Sequence, residues 1–252
     1  MLYNERAELI LQQLQLQAIV KISDLTELLH VSVDTVRRDL KNMEQKGLIK
    51  CVRGGACLPD SLASVSGFAG REIIHAEEKR EVARKALNYV EKGMTIALNA
   101  GTTNMILAQE LLTRNDDITI VTNNIAAVNI LMYQTSVGLI AIGGSVDTRE
   151  KATYGSVCER EFETYYPDIA FLSINAVNYQ DGFSDFRLSE IAVIQLLARR
   201  AQKVIAVMDS SKLGKRSKKN VLSFEQVDRV LMDDGVSDRI KREYQARGLL
   251  IE

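Results

Sequence analysis

The chain has 252 residues, of which 46% are hydrophobic and 26% are charged, and its formal net charge is −1. This composition is typical of a globular protein long enough for two domains, and it excludes low-complexity, collagen-like and uniformly basic chains. No apolar run reaches the ~18–20 residues of a membrane span and no secretory signal opens the sequence, so we expect a cytoplasmic protein without membrane contact.

The scarcity of cysteine and histidine limits the chemistry that the chain can perform. Cys51, Cys57 and Cys158 form no Cys-x-x-Cys pair and are odd in number, so we expect reduced, structural thiols. His30 and His75 are the two histidines, which is little material for a zinc site or a Ser-His-Asp triad. We therefore predict no metal, no cofactor and no catalytic residue.

Two helices are predicted before the first tight turn. A helix is predicted over residues 6–16, and residues 19–22 are predicted to be extended. The apolar side of this first helix is formed by Leu9, Ile10, Leu14 and Leu16. Ser23 is expected to cap a second helix that runs to Leu29, with Asp24 in the first turn, where the helix dipole favours an anion.

Ser32 is expected to cap a third helix, because its hydroxyl can accept a bond from an amide of the first turn, and Gly47 is expected to end it. An apolar stripe at helical spacing is formed by Val33, Val36, Leu40 and Met43. The residues that project away from this stripe are Thr35, Arg37, Arg38 and Lys41. An apolar back with a cationic front is typical of a helix that enters the DNA major groove, although a surface helix with solvated arginines shares this pattern.

A hairpin is predicted next, with a strand over residues 48–53, a turn at Gly54-Gly55 and a returning strand over residues 56–58. Three helices and a hairpin within sixty residues predict a winged helix-turn-helix that binds double-stranded operator DNA. The predicted DNA contacts are Ser32, Thr35, Arg37, Arg38, Lys41, Lys50, Arg53, Gly54 and Gly55. Phosphate contacts would supply most of the affinity, and base contacts about 1–3 kcal/mol of discrimination per bidentate pair.

Residues 59–70 are rich in Ser, Ala and Gly and lack periodicity, so they predict a linker. We therefore predict a DNA-binding domain over residues 1–58, a linker over residues 59–74 and a larger domain over residues 75–252.

The larger domain alternates short apolar strands with helices, which predicts an α/β fold with a mostly parallel sheet covered on both faces. The predicted strands are residues 95–99, 118–122, 137–142, 169–173, 204–208 and 229–232. The predicted helices are residues 77–90, 103–112, 125–132 and 188–200, followed by a C-terminal helix. Tyr165-Tyr166 is expected to form a packed helix end rather than a stacking platform. The basic run over residues 212–219 fits either a solvated loop or a mobile lid.

Ligands of such sheets bind at the carboxyl ends of the strands, where glycines and polar residues collect in this sequence. The predicted effector contacts are Gly101, Thr102, Thr103, Thr122, Asn123, Asn124, Gly143, Gly144 and Lys212. Backbone amides and hydroxyls at a helix start suit a phosphate, and a lysine at the same edge adds a cation. We predict a site for a small phosphorylated sugar, in which Lys212 and the Gly101 loop hold phosphate and Asn123 or Asn124 meets hydroxyls.

Both halves of the chain, from about residue 6 to residue 233, resemble the DeoR family of bacterial sugar-metabolism regulators. The matching residues of the first half are Arg6, Ser32, Thr35-Val36-Arg37-Arg38-Asp39-Leu40, Gly47-Leu48-Ile49 and Gly54-Gly55-Ala56. Those of the second half are Glu78-Lys79, Gly101-Thr102-Thr103, Thr122-Asn123, Gly143-Gly144, Asp168-x-Ala170-Phe171 and Asp209-x-Ser211-Lys212-x-Gly214. The resemblance implies a sensor domain related in fold to ribose-5-phosphate isomerase and coenzyme A transferases. It also implies that a bound sugar phosphate releases the winged helix from its operator.

Four places depart from the usual pattern of that family. Cys51 stands where a basic residue is common, Arg53 where histidine is common, and Asn99 where an acidic residue is frequent. Residues 175–178 replace a stretch that usually holds glycine. The first two departures affect the wing, and the others affect the expected pocket and leave the identity of the ligand open.

We therefore expect a repressor of a carbohydrate-catabolism operon that acts as a homodimer or homotetramer. One alternative is a sugar-phosphate isomerase with a DNA-binding appendage, which would need a carboxylate base. The candidate carboxylates are Asp181, Asp185, Glu190 and Asp209, which we expect to be surface charges or helix caps. The other alternative is an architectural DNA-binding protein whose second domain only oligomerises.

Overall fold

The computed structural model of the chain describes residues 2–17, 19–46, 48–58, 68–73, 75–114, 117–134 and 136–252. The chain divides into two compact units, Met1–Ile74 and His75–Glu252, and each is described by itself. Gly47, expected to end the third helix, and residues 59–67 of the expected linker lie outside the described residues. The part of the expected linker that is described, Phe68–Ile73, is helical.

The first unit is a winged helix-turn-helix, as predicted. Its elements are α1 (Tyr3–Leu16), β1 (Ile19–Lys21), α2 (Ile22–Leu29), α3 (Val33–Gln45), β2 (Lys50–Val52), β3 (Gly55–Cys57) and α4 (Phe68–Ile73). The three strands form one antiparallel sheet in the order β1-β3-β2. Its apolar core consists of Ile10, Leu14, Val20, Leu25, Leu29, Val36, Leu40, Met43, Ile49 and Ala56. Burial of this stripe fixes α3 against α1, α2 and the sheet, because apolar area leaves water there.

Three local predictions in this unit were wrong. Helix α2 begins at Ile22 with Lys21 at the cap position, and Ser23 Oγ instead donates to the Asp24 carboxylate at 2.9 Å. Val33 is 40% exposed and Leu16 is 80% exposed, so neither belongs to the buried stripe. Both lie at helix ends, where the apolar spacing of the sequence continues but no neighbouring element covers the side chain in the described structure.

The wing turn lies one residue earlier than predicted. Arg53 and Gly54 form the turn, whereas Gly55 is the first residue of β3 and pairs with Val52 and Lys21. Gly54 has a φ of +83°, which favours glycine. Gly55 is needed for a different reason, since a Cβ there would collide with the carbonyl oxygen of Val20.

The second unit is the predicted α/β domain with a parallel sheet. Its first elements are α5 (Ala76–Leu87), β4 (Thr95–Leu98), α6 (Thr102–Leu111), β5 (Ile118–Thr122), α7 (Ile125–Leu131), β6 (Val137–Ala141), β7 (Ser145–Asp147), β8 (Ala152–Tyr154) and α8 (Ser156–Phe162). The remaining ones are β9 (Ile169–Ser173), β10 (Ala176–Asn178), β11 (Gly182–Asp185), α9 (Ile191–Arg200), β12 (Lys203–Val207), β13 (Lys219–Leu222), β14 (Arg229–Leu231) and α10 (Asp238–Gln245). Short 3-10 turns cover Leu188–Glu190, Ser210–Lys212 and Phe224–Gln226.

Six strands form the central sheet in the order β14-β12-β9-β4-β5-β6, and every neighbouring pair is parallel. The central strand β9 is buried at all five positions, which explains why its sequence lacks polar alternation. Because all six strands run the same way, their carboxyl ends meet at one edge of the sheet. The loops that carry the predicted effector residues therefore share that edge.

The prediction missed the smaller elements of this unit. These are the β7–β8 hairpin, helix α8 and an antiparallel sheet of β10, β11 and β13. Their strands have three or four residues, too few to show a period. Tyr165 follows the end of α8 and packs against the core, whereas Tyr166 is 69% exposed beneath the Arg200 guanidinium, 3.8 Å from the ring centre.

All three cysteines are free thiols. Cys57 and Cys158 are buried, and burial raises the pKa of Cys158 to about 12. Cys51 is exposed, but neighbouring atoms exclude part of the water around its thiol. This desolvation and the negative charge of Glu44 raise its pKa to about 11. Thiols with such pKa values are protonated and unreactive near neutral pH. In the described part of the chain, no helix has the length and apolar character needed to cross a membrane.

Candidate functional site

Helix α3 carries a cationic face, and its N-cap residue, Ser32, helps to fix the first turn of the helix. Ser32 Oγ accepts a hydrogen bond from Thr35 N at 3.2 Å and lies 2.9 Å from Thr35 Oγ1, which confirms the predicted N-cap. Thr35 is half-buried, and Arg37, Arg38 and Lys41 are exposed. The Arg37 side chain is 65% exposed and lies 3.6 Å from the first-turn carboxylate of Asp34, which is 84% exposed. Such a surface pair contributes little, so Arg37 is available to a ligand.

The wing extends this face with Lys50, Arg53 and Gly54, which are all exposed. The Cys51 amide donates to Glu44 Oε1 at 2.7 Å, which ties strand β2 to the end of α3. Gly55, also predicted to contact DNA, is buried in the wing sheet. The exposed cations of α3 and the wing thus form one surface, which we call the basic face: Arg37, Arg38, Lys41, Lys50 and Arg53.

A partly buried ion pair that sequence reasoning missed holds the basic face to α1. Arg6 Nε donates to Asp39 Oδ2 at 2.6 Å, and Arg6 Nη2 donates to Asp39 Oδ1 at 3.1 Å. The Asp39 side chain is 4% exposed, on the inner side of α3. The pair is bidentate, the strong geometry for arginine and carboxylate. It orients α3 and neutralises a carboxylate that would otherwise weaken anion binding.

The second set of predicted residues lies at the carboxyl edge of the parallel sheet, where Gly101 precedes α6. Gly101 has a φ of +147°, and a Cβ there would collide with the Ser173 hydroxyl. Glycine therefore allows the turn to pass close to strand β9. Thr102 and Thr103 open α6 and are buried; among the described residues Thr103 Oγ1 has no hydrogen-bond partner.

The predicted polar residues after β5 are buried and bonded to the protein itself. Thr122 Oγ1 donates to Leu98 O at 2.6 Å. Asn124 caps α7 by accepting from Ala127 N at 3.2 Å, and its side-chain amide donates to Gly101 O at 3.0 Å. These bonds fix the loops after β4 and β5 relative to each other. The expected contact of Asn124 with sugar hydroxyls is therefore not visible in this arrangement and stays a prediction.

Asn99 and Asn104 form a buried amide cluster under the same edge. Asn99 exchanges hydrogen bonds with the Ser173 backbone, accepting from the amide at 2.7 Å and donating to the carbonyl at 3.1 Å. Asn104 donates to the carbonyls of Asn99 and Phe171 at 3.0 and 2.9 Å. Asn99, one of the departures noted in the sequence, therefore serves to join β4 to β9.

A buried guanidinium crosses this cluster. The Arg187 side chain is 2% exposed and lies 2.7 Å from the fully buried carboxylate of Asp185. It also donates to Ala100 O at 2.6 Å and to Ser173 O at 2.7 Å. Burial opposes ionisation of Asp185, but the Arg187 charge and hydrogen bonds outweigh it and hold the pKa below its ordinary value. Arg187 thus supports the Gly101 turn from inside.

Glu190 completes the network. Its Oε1 accepts from Asn123 Nδ2 at 2.7 Å, and its Oε2 accepts from Ala100 N at 3.2 Å. The side chain is fully buried, and burial raises its pKa to about 7, although Arg187 and Asn123 favour the ionised form. The edge of the sheet can therefore gain or lose one negative charge near neutral pH.

The predicted cation at this edge, Lys212, is accompanied by a second one. Lys212 Nζ lies 3.6 Å from Asp209 Oδ2, and its side chain is 16% exposed. Asp209 is buried, but the charges of Lys212 and Lys79 and a hydrogen bond from Ser211 hold its pKa below the ordinary value. Two lysines thus lie near one buried carboxylate at this edge. Sequence reasoning noted Lys79 only as part of a matching motif.

Strand order decides which predicted residues can meet one small ligand. Strands β12 and β4 are separated by β9 alone, so the loops bearing Lys212 and Gly101 are about 10 Å apart at ~4.8 Å per strand. Strand β6, which precedes Gly143 and Gly144, lies about 19 Å from β12. Both glycines are exposed, at the far end of the sheet. A sugar phosphate of ordinary size reaches Lys212 and Gly101, but not these two as well.

The candidate carboxylates differ from the expectation that they are surface charges. Asp185, Glu190 and Asp209 are buried, and Asp181 is half-buried 3.6 Å from Arg216. Their sequence neighbourhood did not show this burial, because it depends on strands far away along the chain.

The basic run after Lys212 is held to the small antiparallel sheet. The Lys215 carbonyl accepts from Asn178 Nδ2 at 3.1 Å, and Ser217 N donates to Ser184 Oγ at 2.8 Å. The run then enters strand β13 at Lys219. These anchors favour the solvated loop over the mobile lid.

Comparison with known proteins places both halves in families. The model of the DeoR-like helix-turn-helix domain matches residues 6–62, and that of the DeoR C terminal sensor domain matches residues 74–234. The chain is 29% identical to the HTH-type transcriptional regulator GolR of Listeria innocua over 248 residues, 98% of this chain and 97% of that protein. It is 29% identical to the glycerol-3-phosphate regulon repressor of Escherichia coli K12 over 230 residues, 91% of this chain and 90% of that protein.

Similar solved structures include ribose 5-phosphate isomerase A of Methanocaldococcus jannaschii, with a TM-score of 0.42 and 20% identity over 55% of each chain. They also include eIF2B beta of Chaetomium thermophilum, with a TM-score of 0.48 and 13% identity over 84% of this chain and 58% of that one. The expected kinship with coenzyme A transferases stays a prediction.

Proposed function

Since this chain belongs to the DeoR family of DNA-binding transcriptional regulators, we propose that it represses a carbohydrate-catabolism operon and is released from its operator by a phosphorylated sugar. The observation that carries the proposal is the pair of lysines at the carboxyl edge of the sensor sheet, the edge at which α6 begins. Lys79 and Lys212 both help to hold the pKa of the buried Asp209 below its ordinary value, and Lys212 Nζ lies 3.6 Å from Asp209 Oδ2.

A phosphorylated ligand fits this edge in charge and in size. The first amides of α6 have no partner within the helix, as at other helix N-termini, and suit an anion, to which the lysines would add charge-assisted contacts. The distance of about 10 Å between the loops after β4 and β12 suits a three- to six-carbon sugar phosphate. The named activity of the Escherichia coli relative makes glycerol 3-phosphate one member of the test set.

The DNA half of the proposal is tested at Arg37. A duplex recovered by selection from randomised DNA serves as the operator, and fluorescence anisotropy measures its affinity for the full-length protein. Arg37→Ala should weaken binding about ten- to hundredfold, as loss of one bidentate contact does. Arg84→Ala is the matched control, because Arg84 is likewise 65% exposed but lies on α5 of the sensor domain. Equal affinities for the two variants would contradict the assignment of α3.

The effector half is tested at Lys212. Glycerol 3-phosphate, ribose 5-phosphate, fructose 6-phosphate and inorganic phosphate are each titrated into the protein–operator complex. We expect one sugar phosphate to release the operator from the wild type, and Lys212→Ala to bind DNA normally but lose this response. Lys219→Ala, an exposed lysine of the same basic run, is the control. Normal release from the Lys212 variant would remove that residue from the site.

One observation favours a second function. Glu190 is a buried carboxylate with a pKa of about 7 beside the proposed phosphate site, which is the property of a general base in sugar isomerisation. Related proteins are named regulators and repressors, and we therefore propose binding without turnover. Conversion of ribose 5-phosphate by purified protein, lost in Glu190→Gln, would establish the enzyme instead. Unchanged operator affinity with every sugar phosphate would instead support the architectural role.

We also propose that the protein acts in the cytoplasm as a homodimer or homotetramer. Paired winged helices double the number of phosphate and base contacts and read a symmetric operator. Light scattering on the DNA complex should give an even number of chains, and the selected duplex should contain an inverted repeat. A single chain on an asymmetric site would contradict this arrangement.

A further inference from the structure

A second, open cleft of about 600 Å³ lies beside the Ser210–Lys212 turn, and none of the predicted effector residues lines it. The cleft is bounded by that turn, the loop after β14, helix α10, Tyr179 and the start of α5. Its volume is in the range of sites that hold small organic ligands. No step of the proposed repression mechanism uses this cleft.

The floor of the cleft is aromatic and aliphatic. The rings of Tyr179 and Tyr244 lie 4.0 Å apart between centroids, with Val236 and Ile240 beside them. Tyr244 is 1% exposed, and the Gly214 backbone approaches its hydroxyl without forming a hydrogen bond of ordinary length, so this hydroxyl has no well-formed partner among the described residues. A buried hydroxyl without a partner costs free energy, so a ligand atom that bonds it is favoured. Aromatic rings also offer a flat surface for the C–H face of a ligand ring.

The polar groups of the cleft are mainly carboxylates that already accept hydrogen bonds from the protein. Asp233 accepts from Ser210 N at 2.6 Å, from Ser210 Oγ at 2.8 Å and from Gly235 N at 3.1 Å. Glu243 accepts from Tyr179 Oη at 2.9 Å and lies 4.0 Å from Arg239 Nε. A carboxylate has about four acceptor positions, so each can still accept from a ligand hydroxyl.

Charge argues against a phosphorylated ligand here. Three carboxylates line the cleft, Glu78, Asp233 and Glu243, against the guanidinium of Arg239 and the imidazole of His75. An anion would be repelled by this excess of carboxylates. Each carboxylate already has a basic side chain or hydrogen-bond donors beside it, so none of them requires a cationic ligand. Neutral hydroxyl donors satisfy the remaining acceptors without adding charge.

We propose that this cleft is a second ligand site of the sensor domain, which binds an uncharged polyhydroxy compound, a free sugar or a sugar alcohol. The ligand ring or chain lies on Tyr179 and Tyr244, and its hydroxyls donate to Asp233 and Glu243. This site adjoins the proposed phosphate site, because Lys212 lies between Ser211 and Leu213, which line the cleft, although Lys212 itself does not line it. The domain would then distinguish a sugar from its phosphate by using two neighbouring sites.

Isothermal titration of the full-length protein tests the proposal with D-ribose, D-glucose and D-glucitol, each beside its phosphate ester, and with putrescine as a cationic probe. We expect at least one neutral compound to bind saturably in the millimolar range or tighter, without needing the phosphate. Tyr179→Ala and Tyr244→Phe should each weaken that binding about tenfold or more, because they remove the platform and the buried hydroxyl. Tyr133→Ala, an 83% exposed tyrosine outside the cleft, is the control and should bind normally.

Three results would overturn the proposal. The first is no saturable binding of any neutral compound. The second is binding that Tyr179→Ala and Tyr244→Phe leave unchanged, which would place the ligand elsewhere. The third is binding of putrescine or of a phosphate ester at this cleft in place of the neutral compounds, which would show a different ligand class. Circular dichroism of each variant confirms that it is folded before titration.

Discussion

The Asp185–Arg187 pair offers a sharp test of what holds the effector edge together. Arg187→Met keeps a long apolar side chain but removes the donor to Asp185, Ala100 O and Ser173 O. The side chains are 2% and 0% exposed, so water cannot replace the lost cation. Removing one partner of a buried pair costs about 3–5 kcal/mol, because the other charge stays buried.

Urea unfolding of the full-length protein, followed by circular dichroism, measures this loss. With an m-value of ~2 kcal/mol per M, a loss of about 4 kcal/mol lowers the midpoint of the sensor transition by about 2 M. Arg199→Met changes an exposed arginine of α9 and should stay within about 0.5 kcal/mol of the wild type. The double variant R187M/D185N leaves no charge buried at the pair and should recover part of the loss.

The loss should also depend on pH in a definite direction. In the wild type the pKa of Asp185 is below its ordinary value. Ionised Asp185 therefore contributes its full stabilisation at pH values above the ordinary pKa, and this stabilisation is lost as pH falls through the native pKa. Without the Arg187 guanidinium, burial is opposed only by the backbone hydrogen bonds to Asp185 and the charge of Lys212, so this pKa rises. The gap between wild type and R187M should therefore be widest at neutral pH and narrow in acid. A midpoint for R187M equal to that of Arg199→Met, or a gap that widens in acid, would refute this account.

Three further predictions concern single residues. Burial raises the pKa of Glu190 from 4.5 to about 7, so its contribution to stability should fall as pH rises between these values and be level above them. Glu190→Gln should remove that slope in urea midpoints measured across this interval; an unchanged slope would contradict the assignment. Gly55→Ala should push β3 away from Val20, lower the thermal midpoint of the winged helix and abolish operator binding, whereas Gly54→Asn, which tolerates positive φ, should keep the thermal midpoint. Lys41→Ala should make the fall of log affinity with log salt concentration shallower by about 1, because one phosphate contact is lost, and should leave sequence preference unchanged. A steeper fall would argue against a phosphate contact.

The sequence alone was enough to find most elements because their signals are local. The hydroxyl of Ser32 caps α3 within one turn, and the stripe of Val36, Leu40 and Met43 follows from helical geometry. Strand β9 has no polar alternation because both its faces are covered, and this pattern survives in five consecutive residues. The short strands β7, β10 and β13 gave no signal, since three or four residues do not define a period.

Tertiary structure alone decided the pairings that make the two sites work. Arg6 meets Asp39 across 33 positions, and Arg187 meets Ala100 across 87, so no local pattern connects them. Sheet order likewise placed Lys212 two strands from Gly101 and left Gly143 at the far edge, although all three follow strands in the same way along the chain. The physical reason is that periodicity and capping are set by neighbours within a few residues. Which charges become buried together is set by how distant segments pack.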